Sequence, residues 1–411
     1  MTDLIMFFAG LFFGILFMFL LFIFSVFLMS FIKKTINYKS FTPNISILIP
    51  AFNEEKHIGS CLRSIHNQDY PREKIEVIVV DDGSTDRTKQ LAEHFCAKVL
   101  LQNHKGKSEA LNLGTKHASY DYIFTVDADT ILEKDCLKNL VKPFTDSTVG
   151  ATTGNSKVRN NNSLLGIFQN IEYSYNNLIR GSFSKIFKDG IWFFGALACY
   201  RKDVLGKVSG FKIDTLTEDM DIALEIKNAG YRTVNVSNAM GYTMVPSTFK
   251  GLYHQRARWW IGTLQALTKN KHLFFEKSPS LKFLFINQFW WSFYSFLSFP
   301  IILYQVNYWL PEEGVLSIFN YLFRWFSLAG PFYVIYKIPE WGVSIYNIFG
   351  VLSGLISAIM MIFAMWRFKD SLTLKNVFGV FFYFPYTIFL NIIIVFSLLK
   401  CHFWEKKYFI R

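Results

Sequence analysis

An α/β domain with a mainly parallel sheet, flanked by transmembrane α-helices, is the fold class this sequence predicts. Three observations predict it. Leu4 to Ile32 contains no charged residue and exceeds the roughly 20 residues a helix needs to cross a bilayer. From Asn44 onward, short β-branched runs alternate with helix-patterned stretches, the signature of strand–helix–strand units around a parallel sheet. After Lys282 the chain turns apolar again almost to its end. Composition agrees: 51% of the 411 residues are hydrophobic and 18% aromatic, values that suit a membrane protein carrying a soluble part.

The N-terminal span, within residues 1–35, does not read as a signal peptide. Asp3 stands where a basic start belongs, and no small-residue cleavage site follows. Lys33, Lys34 and Lys39 come next, and the positive-inside rule then puts the N-terminus outside and the following domain in the cytosol.

That domain covers residues 44–247. Ile45 to Ile49 is its first strand and ends in Pro50-Ala51-Phe52-Asn53-Glu54-Glu55, where Asn53 is expected to cap a helix running to about Asn67. Ile75 to Val80 is a second strand, ending in Asp81-Asp82-Gly83-Ser84-Thr85-Asp86; Ser84 or Thr85 is expected to cap the helix through Ala92. Lys98 to Leu101 is a third strand, and His104-Lys105-Gly106-Lys107 leads into a helix near Ser108 to His117. The fourth strand, Tyr122-Ile-Phe-Thr-Val, ends in Asp127-Ala128-Asp129-Thr130. Residues two apart in an extended chain point to one side, so the two carboxylates share a face. They are either solvated acids at a strand end or an oxygen site for Mg²⁺ or Mn²⁺ shared with substrate phosphates. Ligands of open α/β sheets bind at the carboxyl ends of strands, where Asp82, Asp127 and Asp129 fall. No dinucleotide-binding glycine pattern and no Walker motif is present.

Val149 to Thr153 reads as another strand, Leu164 to Phe187 as a helix, and Trp192 to Tyr200 as an apolar strand interrupted by Gly195. Gly195 fits either a bulge or a close approach by backbone or ligand. Thr217-Glu218-Asp219 opens a helix from about Met220 to Asn228; alone, it is also what a plain N-cap with two acids looks like. Residues 248–282 form interfacial helices. Within them Gln255, Arg258 and Trp259 share one helical face, suited to sugars and phosphates or to a membrane interface.

Residues 283–400 are membrane-like. Phe283 to Leu303, Val343 to Met365 and Val377 to Leu399 are spanning candidates. Val315 to Tyr336, with a central Arg324, reads as interfacial or re-entrant, so the count is three or four spans, and charge counting leaves the side of the C-terminus open.

A net charge of +12 fits nucleic acid, a membrane surface or an anionic substrate. Scattered basic residues without a nucleic-acid motif exclude the first. Five widely spaced cysteines indicate neither a zinc site nor a disulfide framework.

The set Pro50-Ala51-Phe52-Asn53-Glu54, Asp81-Asp82-Gly83-Ser84, Gly106-Lys107, Asp127-Ala128-Asp129, Thr217-Glu218-Asp219 and Gln255-x-x-Arg258-Trp259 resembles the processive family 2 glycosyltransferases. These include synthases of cellulose, chitin, hyaluronan and poly-N-acetylglucosamine. Ala151-Thr152-Thr153-Gly154-Asn155, Arg159-Asn160 and Ile171-Glu172-Tyr173 are most similar to poly-β-1,6-N-acetyl-D-glucosamine synthases. The resemblance implies a GT-A-like domain in which Pro50, Ala51, Asn53, Glu54, Asp82, Lys107 and Asp127 bind the nucleotide-sugar. It implies Asp129 as ligand of Mg²⁺ or Mn²⁺, Asp219 as general base with Glu218 as the alternative, and Gln255, Arg258 and Trp259 as holders of diphosphate and acceptor. The implied activity is inverting polymerisation of a UDP-sugar, UDP-N-acetylglucosamine first, by a multi-pass plasma-membrane enzyme that passes the polysaccharide through the bilayer, with a small accessory subunit as a further partner. Two competing readings are a transferase placing one sugar on a lipid carrier and a transporter with a nucleotide-sensing domain. Few intramembrane charges speak against the transporter.

Overall fold

A computed structural model describes residues 2–34, 36–309, 329–343, 345–370 and 373–403. Its centre is an eight-stranded sheet of order β3-β2-β1-β4-β7-β6-β8-β5. β1 (Ile45–Ala51), β2 (Ile75–Asp81), β3 (Lys98–Leu101) and β4 (Tyr122–Val126) run parallel, as the alternation of strands and helices demands. β5 (Ile131–Leu132) and β7 (Leu197–Arg201) are antiparallel to their neighbours, while β6 (Val149–Val158) and β8 (Arg232–Thr243) pair in parallel. The register sets Ala51 beside Asp81, and Asp82 N donates to Ala51 O at 2.8 Å. The loops after β1, β2 and β4 therefore leave the sheet at one rim.

Helices α2 (Ile58–His66), α3 (Thr88–His94) and α4 (Lys107–His117) cross over between the parallel strands. Their apolar faces build two clusters, one on each face of the sheet. Leu48, Ile78 and Ala110 belong to one, Ile47, Leu62 and Phe124 to the other.

Several local expectations are corrected. Asn53 caps no helix: it takes a left-handed φ of 55°, and α2 starts only at Ile58. Its amide instead accepts from Thr85 N at 2.9 Å, binding the β1 and β2 loops together. Neither Ser84 nor Thr85 caps α3, which begins at Thr88 behind Asp86. Gly195 lies in the turn before β7 rather than within a strand. β5 and β8 had no clear pattern, because β5 is two residues long and β8 carries Asn235, Ser237 and Asn238 midway.

Three helices are long and apolar enough to cross a membrane among the described residues, with spans Gly10–Ile32, Ile348–Arg367 and Tyr383–Lys400. Phe283 to Leu303 is helical within α10 (Pro279–Trp309) but is not among them. Asn287, Gln288, Ser295 and Ser298 are buried along it, and Ser295 Oγ donates to Asn391 Oδ1 at 3.1 Å, so part of its surface is polar and turned to protein. The expected Val377 to Leu399 span is broken at Phe382, between helices Leu374–Phe381 and Tyr383–Phe403. Of the Val315 to Tyr336 segment, 315–328 fall outside the described residues; the rest belongs to helix Ala329–Trp341.

Two buried polar links join these helices to the sheet domain. Lys157 Nζ on β6 pairs with Asp370 Oδ1 at 2.7 Å, and Ser174 Oγ on α6 (Leu164–Phe187) donates to Asp370 Oδ2 at 2.9 Å. Glu172 on α6 accepts from Arg256 of α9 (Phe249–Lys269) at 2.9 Å and from Tyr386 at 2.6 Å. A buried ion pair tolerates loss of neither partner, so α6, α9 and helix Tyr383–Phe403 are locked together.

Candidate active site

The rim formed by the β1, β2 and β4 loops faces the start of α8 (Glu218–Asn228), and Lys107 stands between them. Its Nζ lies 2.7 Å from Asp127 Oδ1 and 2.9 Å from Glu218 Oε1. Burial alone would lower the ammonium's pKa, but Asp127, Glu218 and Asp219 hold it charged and above its ordinary value. Burial likewise pushes Glu218 upward, yet Lys107 and Arg258 outweigh it and leave the carboxylate below its usual range.

Asp219 behaves oppositely. Burial and the neighbouring Glu218 charge raise it to about 6, against the pull of Lys107 and of two backbone amides. Those amides are Gly195 N, 2.9 Å from Oδ2, and Met220 N, 2.8 Å from Oδ1. A Cβ on residue 195 would sit 2.5 Å from Asp219 Cβ. Of the two readings of that glycine, close approach is the one the structure bears out: the carboxylate rests on bare backbone. Gly262 of α9 does the same for Thr217, whose hydroxyl would lie 2.6 Å from a Cβ there.

Asp129 accepts only long hydrogen bonds, from Thr243 at 3.2 Å and Thr130 at 3.3 Å. Burial and Asp127 push it up to about 6. Glu54 is raised to about 7 by burial and then by Asp129, Asp127 and Asp86. These acids face one another with Lys107 as the neighbouring cation, so the donor set fits a hard divalent ion. No group of three His, Cys, Asp or Glu side chains forms a metal cage among the described residues.

The other expected residues are placed as follows. Both Asp82 oxygens are taken by the β3–α4 loop, accepting from Gln102 Nε2, Lys105 N and Gly106 N at 2.6, 2.7 and 2.9 Å. Pro50 and Ala51 contribute strand backbone, and exposed Asn53 and Phe52 form the outer lip, Phe52 lying 4.2 Å from the His104 ring. On α9, Gln255 Oε1 is buried without a partner, and Trp259 packs in a cluster with Val158, Tyr173, Val245 and Phe194. Arg256, not singled out in the sequence, covers Trp259 at 4.3 Å while bound to Glu172. Its signal was a second arginine inside a motif read for the first and last positions.

Comparison with known proteins agrees with this geometry. Residues 46–208 match the family described as Glycosyl transferase family 2. The chain is 32% identical over 252 residues to a poly-β-1,6-N-acetyl-D-glucosamine synthase of Staphylococcus aureus, covering 58% of each chain. It is 30% identical over 239 residues to the synthase of the same name from Staphylococcus epidermidis, covering 55% of this chain and 56% of the other. The chain thus spans somewhat over half the length of these curated relatives. A mannosyltransferase from Pyrobaculum calidifontis, solved with GDP-Man and Mn²⁺, shares the fold over 97% of both chains, with a TM-score of 0.63 and 20% identity. The chain therefore has a GT-A-like fold, and its residues 46–208 are similar to the glycosyl transferase family 2 domain. More particularly, the chain resembles the staphylococcal polysaccharide synthases over the part of its length that they share.

Proposed function

We propose that the protein is a membrane-embedded, inverting polysaccharide synthase that extends a polymer with sugar from a UDP-sugar, UDP-N-acetylglucosamine before others. The observation that carries this reading is the convergence of Asp127, Glu218 and Asp219 about Lys107. It provides a place for an anionic leaving group beside a carboxylate with raised basicity. The sugar is inferred from the names of the 30–32% identical relatives.

In this mechanism Asn53, Glu54, Asp82 and Asp127 bind the nucleotide side of the donor. Asp129 would hold a divalent ion, which would supply charge neutralisation on the diphosphate. Lys107 and Arg258 add fixed positive charge on the same side, stabilising charge that develops on the departing oxygen. Asp219 takes the proton of the acceptor hydroxyl as that oxygen attacks the anomeric carbon and the bond to UDP breaks. A carboxylate near pKa 6 is a stronger base than an ordinary one and still ionised at neutral pH. Gln255 and Trp259 position the acceptor end.

The test is a screen of UDP-sugars for UDP release by the full chain in detergent, followed by product sizing and linkage analysis. UDP-N-acetylglucosamine is expected to give the largest signal and a polymer. A single sugar on a lipid carrier would replace the polymer reading, and no UDP release with any donor would end it.

The catalytic domain faces the cytosol of a multi-pass plasma-membrane protein in this reading. Lys33, Lys34 and Lys39 support it. Cys96 is the exposed reporter, Cys61 being buried. An impermeant thiol reagent is expected to label Cys96 only after permeabilisation; labelling on intact cells would reverse the topology.

A further inference from the structure

Arg180 sits in α6 with 4% of its surface exposed. Among the described residues it makes no ion pair within 4 Å of a carboxylate, an unusual state for a buried guanidinium, which is costly to desolvate. Its Nε has no partner. Nη2 donates to Thr153 Oγ1 at 3.0 Å and to Gly154 O at 3.1 Å, and the guanidinium lies 5.7 Å from the Phe194 ring.

Thr153 passes this anchor on. Its Oγ1 donates to Phe194 O at 2.9 Å and accepts from Phe194 N at 3.2 Å. Thr125 Oγ1 on β4 holds the next carbonyl, Gly195 O, at 2.9 Å. Gly195 N then donates to Asp219 Oδ2. An unbroken path thus leads from Arg180 through Thr153 and the Phe194–Gly195 turn to the carboxylate. It crosses β6 where the pairing with β8 shifts register, between Thr153 and Asn155.

We propose that Arg180 is a positioning residue for Asp219: it fixes the carboxylate through Thr153 and the Phe194–Gly195 turn, and it brings a buried positive charge to the far end of that path. The proposal rests on the reading of Asp219 as the base. Nη1 adds a long hydrogen bond to Asn177 Oδ1 at 3.5 Å; the shorter bonds to Thr153 and Gly154 would need only an amide, and a guanidinium brings charge as well. Burial pulls Arg180 down to about 9, and Asp219 is the charged group that opposes this. The groups facing Asp219 are Glu218 on α8, Lys107 on α4, Tyr200 on β7 and Arg180 on α6. Lys107 is divided between Asp127 and Glu218, and Arg258 acts on Glu218, so Arg180 adds a third positive charge to a site with three carboxylates.

The experiment compares wild type, Arg180→Gln, Arg180→Lys and Thr153→Val as purified full chains, at saturating Mn²⁺, with the UDP-sugar turned over in the screen above. Removing the positive charge raises the pKa of Asp219, so the acidic limb of the kcat profile is expected to move to higher pH by about 1 unit in Arg180→Gln. kcat at pH 7 should fall on the order of 10-fold or more, with donor KM unchanged. Arg180→Lys should keep the limb in place. Thr153→Val should lower kcat and move the limb less than Arg180→Gln does, because the charge remains while the Gly195 N hydrogen bond to Asp219 loosens. Infrared titration of the Asp219 carboxyl, with Asp219→Asn as the subtracted reference, reads the same shift without turnover. An unmoved limb and an unmoved infrared midpoint in a folded Arg180→Gln protein would overturn the proposal. If Arg180→Gln does not fold, wild-type turnover by Thr153→Val overturns it. Wild-type turnover by Asp219→Asn would instead remove the base reading, a separate outcome.

Discussion

Asp219→Asn is expected to lower kcat by at least about two orders of magnitude, the range for loss of a general base, while UDP affinity stays near the wild-type value. The variant keeps the size of the side chain and one carbonyl oxygen to accept from Gly195 N, now 2.9 Å away. What it loses is the lone pair that takes a proton. The residues proposed to bind the nucleotide, Asn53, Asp82 and Asp127, make no hydrogen bond to Asp219 among the described residues, so binding is expected to survive the loss of the base. Wild-type turnover should fall below pH about 6, because Asp219 and Asp129 are both raised to about 6 and accept protons there. Glu218→Gln should act differently. It frees Lys107 from one of its two carboxylates, so donor KM should not rise, and kcat should fall less than in Asp219→Asn. If Asp219 did no more than cap α8, the Asn variant would lose about 1 kcal/mol of stability with near-normal turnover. Turnover and UDP binding measured on one preparation decide between the two.

Chelation with EDTA is expected to abolish turnover, with Mg²⁺ or Mn²⁺ restoring it. Burial with Asp129 and Asp127 already raises Glu54, and burial with Asp127 raises Asp129, beside Lys107. A nucleoside diphosphate adds more negative charge to the same place, and a divalent ion lets both remain. Asp129→Asn should be inactive yet keep the wild-type unfolding temperature, since the wild-type carboxylate makes only long bonds to Thr130 and Thr243. Full activity in excess chelator would refute the role.

The parallel half of the sheet and the acids at its rim were legible in the sequence because two patterns coincide there: short apolar strands, and Asp82, Asp127 and Asp129 directly after them. The antiparallel half was less so. β8 is stabilised by side-chain amides such as Asn235, which donates to Asn155 Oδ1 at 3.0 Å, and such pairs have no hydrophobic period. Caps failed for a related reason. Asn53 and Asp86 have the chemistry of N-caps but spend it between loops, Asn53 on Thr85 and Asp86 on Glu55 N as well as Thr88. Arg180 and Thr153 stand in an amphipathic helix and a buried strand. Their connection to Asp219 exists only once three elements are folded together. The inward polar face of α10 was hidden by an apolar average, since four buried polar residues among so many aromatics scarcely alter it.

The contact between Gly195 and Asp219 also limits how this enzyme can change by descent or by design. Any side chain at position 195 meets Asp219 Cβ at 2.5 Å, and relieving that overlap means moving the carboxylate. A substitution at 195 is thus also a change to Asp219, the proposed base, even though it leaves that residue's codon untouched. Mutant libraries aimed at new acceptors have freedom along the Phe52 lip and the outer face of α9, whereas the turn at 195 is a fixed point around which they must be drawn.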